Sequence, residues 1–126
     1  MPSDTALRGC TTFGVVHPSV RKGDIAEREA AALLGELLGY TIERKGRGGS
    51  QRDTGDLVGL PDTVVQVSNA PADTLRKVHT KPLDAELQRE RAGATFAATM
   101  IRLRGGTWRV VLTPEQFATL WREATA

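Results

Sequence analysis

TGDLVGLPDTVVQVSN, residues 54–69, reads as two short strands meeting at a tight turn. Leu57, Val58 and Leu60 form the first strand and Thr63 to Ser68 the second, with the turn formers Pro61 and Asp62 between them. Side chains alternate along a strand, so Val64, Gln66 and Ser68 share one face while Val65 and Val67 share the other. Asp56 opens the hairpin, and its expected place is across the pair, beside Gln66 and Ser68. One acidic and two polar side chains converging on an otherwise apolar sheet surface cost free energy unless they bind something. A plainer alternative stays open: polar residues on the exposed face of an edge strand, and an aspartate acting as a cap.

Upstream, Ala26, Ala30, Leu33, Leu34, Leu37 and Leu38 recur at helical spacing, predicting a helix over 24–38 that Gly39 stops. Arg28 falls opposite the apolar stripe, and Glu29 and Glu36 lie well off it. Glu27 sits on the stripe's edge, so a helix covering the hairpin brings it toward Asp56; the alternative is that it reaches water or pairs with a basic neighbour. Residues 40–45, YTIERK, predict a strand with Tyr40, Ile42 and Arg44 on one side. A Gly-rich loop follows. Arg44, Lys45, Arg47 and Arg52 are all basic and no acid intervenes between 44 and 52, while Ser50 and Gln51 add hydrogen-bonding groups. With Arg21 and Lys22 at the helix start, this loop suits contact with phosphates, against the alternative of a solvated loop. It lacks the Gly-Lys-Ser/Thr ending of a nucleotide-binding P-loop.

Downstream, residues 70–82 read as a basic connector carrying Arg76, Lys77, His79 and Lys81, with at most one helical turn at Asp73–Val78. His79 is expected at the surface. A charged helix over 83–92 is expected to bury Leu83 and Leu87. Phe96–Leu103 and Thr107–Leu112 form a second hairpin across Arg104, Gly105 and Gly106. Thr113, Pro114 and Gln116 then start a helix as N-cap, first helical residue and capping-box partner, with Phe117, Leu120 and Trp121 as its buried face. Residues 1–19 read as an N-terminal arm, in which 12–17 offers an edge strand, and 20–126 as a single domain.

Composition sets the outer bounds. The chain has 126 residues, 40% hydrophobic and 25% charged, in the range of a one-core globular domain. No apolar run is long enough for a membrane span, and no signal-peptide pattern stands at the start. Cys10 is the single cysteine, and with only His17 and His79 a structural zinc site is disfavoured. These features fit a reducing cytoplasm. A formal charge of +2 permits nucleic-acid binding without demanding it, so charge placement carries more weight than the sum.

The order helix, strand, hairpin, helix, hairpin, helix predicts an α/β fold, a mixed sheet with helices packed on it. RKGDIAERE at 21–29, the Leu-rich helix, the basic Gly/Ser loop, GDLVGLP and the VVQVSN strand together resemble the Holliday junction resolvases of archaeal type and related phage resolvases. Those enzymes belong to the PD-(D/E)xK nuclease superfamily. The resemblance covers about residues 20–123. It implies a restriction-endonuclease-like fold, a homodimer, cleavage of four-way DNA junctions, and Mg²⁺ or Mn²⁺ held by Glu27 and Asp56. It further implies catalytic places at Gln66 and Ser68, Gln66 as a neutral metal ligand, and DNA contact by Arg21, Lys22, Arg44, Lys45, Arg47, Ser50, Gln51 and Arg52.

The chain departs from the family where the second strand normally carries Glu-x-Lys, here Gln66-Val67-Ser68. Gln66 offers a carbonyl oxygen without charge, and Mg²⁺ prefers hard, anionic oxygen donors. Ser68 cannot supply the lysine's cation, and losing one such electrostatic group commonly costs on the order of 100- to 1000-fold in rate. Lys22, Lys77 and Lys81 are candidates to reach in from neighbouring elements. Two functional classes therefore follow: a structure-selective endonuclease with a weakened motif, or a non-catalytic module that binds branched or duplex DNA, or a protein, on the same fold.

Overall fold

The computed structural model describes residues 18–45 and 55–126, residues 18–22 by their backbone alone. Helix α1 spans Pro18–Leu38, so it begins before the expected residue 24. Strands β1 (Glu43–Arg44) and β2 (Leu57–Val58) form a short antiparallel ladder. Strands β3 (Thr63–Asn69), β4 (Phe96–Arg102) and β5 (Trp108–Val111) form a mixed sheet in that order, β3 parallel to β4 and β4 antiparallel to β5. Helix α2 (Thr74–Ala92) is the crossover that a parallel β3–β4 pair requires, and α3 (Pro114–Ala124) closes the described chain. The result is the expected α/β architecture, a central mixed sheet flanked by helices.

The sheet's two faces differ in composition. Val65, Val67 and Met100 meet Ala26, Ala30 and Ala31 of α1, with Ile42 and Leu57 completing the cluster. Alanines on this stripe let the helix lie close to the strands. The expected stripe therefore shifts: Ala31 is buried, whereas Leu37 and Leu38 at the helix end are exposed. The opposite face carries Val64, Gln66 and Ser68 beside Ala97, Thr99 and Ile101, and α2 lies against it.

The two strands expected to pair within 54–69 do not form one ladder. They do meet at Pro61–Asp62, yet β2 ladders with β1, and its tie to β3 is a bond from the Asp56 N–H to the Val65 carbonyl, 2.9 Å. Gly59 explains the choice: at φ 120° a Cβ there would stand 2.4 Å from the Thr41 carbonyl oxygen, so the chain after β2 is pressed against the segment before β1. Asp62, at φ 56°, turns its own carbonyl and carboxylate toward β4, accepting bonds from the Thr95 and Phe96 N–H groups.

The two later helices also differ from expectation. Residues 74–92 form one helix through Pro82, where a connector and a separate helix were expected. An interior proline costs roughly 3 kcal/mol in an isolated helix. Here Pro82, Ala85 and Gln88 make the buried face, and packing on the sheet holds the helix through the proline. Leu83 and Leu87 are correspondingly exposed. In α3 the predicted cap is present, with the Thr113 hydroxyl accepting the Gln116 N–H at 3.1 Å. Phe117, Leu120 and Trp121 are exposed, not buried, Trp121 at 61%. The helix docks through its first turn instead. The β5 ladder starts opposite Thr99, so the Ala97 N–H lacks a strand partner on that side, and Gln116 Oε1 accepts it at 3.0 Å.

Candidate functional site

Asp56 is positioned by its backbone. Gly55 precedes it at φ 108°, where a Cβ would meet Val64 Cγ1 at 2.9 Å, so only glycine lets the chain turn this tightly against β3. The Lys45 N–H donates to the Asp56 carbonyl at 2.8 Å, and Asp56 Oδ2 accepts the Val67 N–H at 2.8 Å. The carboxylate thus lies on the edge of β3, against backbone.

Glu27 faces the same end of the short ladder. Its Oε1 is 3.7 Å from Arg44 Nη1, and that nitrogen is 3.4 Å from Asp24 Oδ1. Arg44 therefore stands between two carboxylates of α1, which is the pairing alternative for Glu27. Asp24 was missed by the sequence reading, although its spacing of three from Glu27 puts both on one helix face.

Gln66 goes elsewhere. It is 8% exposed, and its Oε1 accepts a bond from Gln88 Nε2 of α2 at 2.5 Å. Gln88 carried no signal beyond its place in a charged segment. Ser68, on the same face, is 5% exposed, and its hydroxyl has no hydrogen-bond partner among the described residues. The structure thus brings Glu27 near Arg44 and places Asp56 on Val67, while the Gln66 side chain points to the far side of the sheet. Among the described residues no group of three or more His, Cys, Asp or Glu side chains is placed to hold a metal ion. As donors for Mg²⁺ the predicted set does not fit: the neutral Gln66 oxygen is engaged by Gln88, and Glu27 faces a guanidinium.

Of the predicted DNA contacts, Arg47, Ser50, Gln51 and Arg52 lie outside the described residues, and Arg21 and Lys22 are described through backbone only, in the first turns of α1. Lys45 is half-buried at the end of β1. Residues 12–17 also lie outside the described residues. His79 is exposed, as expected.

A cleft of about 710 Å³ opens at the carboxyl end of β3, between α1 and α2. Ser68 and Asn69 form its floor, and Lys77, Lys81 and Arg102 stand around it. Val67, whose N–H holds Asp56, lines it too. Burial, then the nearby Lys81 and Arg76 charges, hold the Lys77 ammonium below the usual lysine range, partly offset by Asp73. Glu29, expected to lie off the packed stripe, instead accepts bonds from Arg102 Nε at 2.9 Å and Trp108 Nε1 at 2.7 Å, pinning α1 to β4 and β5.

Fold and site together define a mixed α/β protein with a basic cleft at the end of β3 and one carboxylate, that of Asp56, on the edge of the same strand. No protein-family model and no curated protein matches the chain. Among solved structures it is similar to Hjc, a Holliday junction resolvase from the archaeal hyperthermophile Archaeoglobus fulgidus, with 21% identity, 71% of this chain and 76% of that chain covered, and a TM-score of 0.44. No helix among the described residues is long and apolar enough to cross a membrane.

Proposed function

We propose that this chain binds branched DNA of the four-way-junction type through its phosphates, with phosphodiester cleavage weakened or lost. The observation that carries this reading is the fate of the Glu-x-Lys place: Gln66 is closed off by Gln88, and Ser68 brings no charge. The cations of the cleft, together with those of the 44–52 segment, supply the affinity, and a homodimer matches the symmetry of a four-way junction.

Metal-dependent cleavage is the second reading. Its support is Asp56, whose carboxylate is fixed on the edge of the sheet by the Val67 N–H, with Glu27 on the helix that covers that sheet. Glu27 and Asp56 are its metal-binding candidates, and Ser68 its accessory position, while Gln66 stays bonded to Gln88.

Labelled four-way junctions test both. Binding is expected to weaken steeply between about 50 and about 200 mM salt, as phosphate contacts require. Little cutting is expected with Mg²⁺ or Mn²⁺, and cutting gained by the Gln66→Glu/Ser68→Lys variant would favour the second reading. Efficient cutting by the unaltered protein, abolished by Asp56→Ala, moves the conclusion to the second reading. Junction affinity equal to that of an unrelated protein of the same charge, without salt dependence, removes both.

A further inference from the structure

Lys77 and Lys81 are four residues apart on α2 and both line the cleft at the end of β3. Like charges at that spacing repel and destabilise a helix. Among the described residues that line the cleft there is no carboxylate. Lys81 has Asp84 at 3.6 Å and Arg102 is bound to Glu29 at 2.9 Å, whereas Lys77 forms no ion pair among the described residues. In the same cleft, the Ser68 hydroxyl is buried without a hydrogen-bond partner among the described residues. A buried hydroxyl left unsatisfied costs free energy, and so does a desolvated ammonium. An oxyanion between them answers both: it accepts a hydrogen bond from the serine hydroxyl and offsets the lysine charge. The volume, about 710 Å³, exceeds what one free ion needs and leaves room for the groups attached to it.

We propose that this cleft is a phosphodiester-binding site in which Lys77 and Lys81 clasp one phosphate oxyanion and Ser68 donates its hydroxyl to it. That the phosphate belongs to DNA rests on the reading of the preceding section; the cleft's affinity for the oxyanion does not.

Two variants separate the points. Lys77→Gln/Lys81→Gln removes the charge. Gly23→Glu adds a carboxylate at the cleft wall, where a Cβ meets nothing within 4 Å. Glutamate also favours a helix interior over glycine, so this variant weakens binding without weakening the fold. Inorganic phosphate, titrated while amide NMR spectra are recorded, is expected to move the Ser68, Asn69 and Lys77 signals in the unaltered protein. Both variants are expected to lose affinity by about tenfold or more. The double lysine variant is also expected to lower the junction salt slope by about one to two, and Lys77→Arg/Lys81→Arg to restore it. If phosphate leaves these amides unmoved and both variants bind junctions as the unaltered protein does, the cleft assignment is overturned while the DNA reading stands. If phosphate binds there and the variants abolish it, yet the unaltered protein shows no salt-dependent junction affinity, the cleft assignment stands and the DNA reading falls.

Discussion

On the α1 side of β3, Val65 and Val67 pack with Ala26, Ala30 and Met100; on the α2 side, Gln66 meets Gln88 beside Thr99, with Ser68 two residues on. Thr99 is fully buried, and its hydroxyl has no partner among the described residues. β3 thus buries two valines on one face and, on the other, Val64 together with two polar side chains. Apolar contacts are non-directional and respond to volume. A buried amide pair responds to whether its partner is present. The difference teaches where tolerance lies: the α1 face accepts shape-conserving changes, while the α2 face is sensitive to single deletions of hydrogen-bonding groups.

The largest effect is expected on the apolar face. Met100 is 2% exposed at its centre. Met100→Ala removes most of that side chain and is expected to cost about 2–5 kcal/mol in urea unfolding. A loss well below this range would mean that α1 and the sheet collapse onto the vacancy, and that this face is less closely packed than its burial indicates.

The polar face should behave differently. Gln88→Leu leaves the buried Gln66 oxygen without its donor and is expected to cost about 1–3 kcal/mol. Gln66→Leu/Gln88→Leu removes both partners together and should cost less than Gln88→Leu alone. A double variant as unstable as the sum of the two single ones would erase the contrast between the faces, because the pair would then contribute by bulk rather than by mutual satisfaction.

How much of this was legible in the sequence follows from the range of each interaction. Strand alternation at 63–68 and the Thr113 cap depend on neighbours within a few residues, and both were readable. The partner of β2 was not, because GDLVGLPD carries a hairpin signal whichever strand receives the ladder. Helix α2 runs through Pro82 on the strength of its packing against β3 and β4, which no local propensity records. For the candidate site, Glu27 and Asp56 stood out by type and position. Their surroundings did not: the Gln66–Gln88 bond spans 22 residues of sequence and the Glu29–Trp108 bond 79. Helical angle alone placed Glu29 away from the packed stripe, since nothing in α1 announces a guanidinium and an indole from the far end of the chain.

The smallest effect belongs to that Glu29 clamp, where the apolar face meets water. Bonds from Arg102 and from Trp108, with the Arg102 charge, hold the Glu29 carboxyl below the ordinary glutamate range against the opposing effect of burial. The unfolded chain therefore takes up this proton at higher pH than the native protein does. The stabilisation is present above the unfolded pKa and disappears as pH falls through the lower native one. Because the side chain is 40% exposed, solvent screening limits the pair, and Glu29→Gln is expected to cost less than about 1 kcal/mol at neutral pH. The gap between Glu29→Gln and the unaltered protein should narrow below about pH 5. Trp108 emission supplies a local readout of the clamp, with the exposed Trp121 as a largely constant background. A gap that stays constant from neutral to acid pH would mean that the substitution acts through packing at the α1–β5 contact and that the carboxylate charge contributes nothing there.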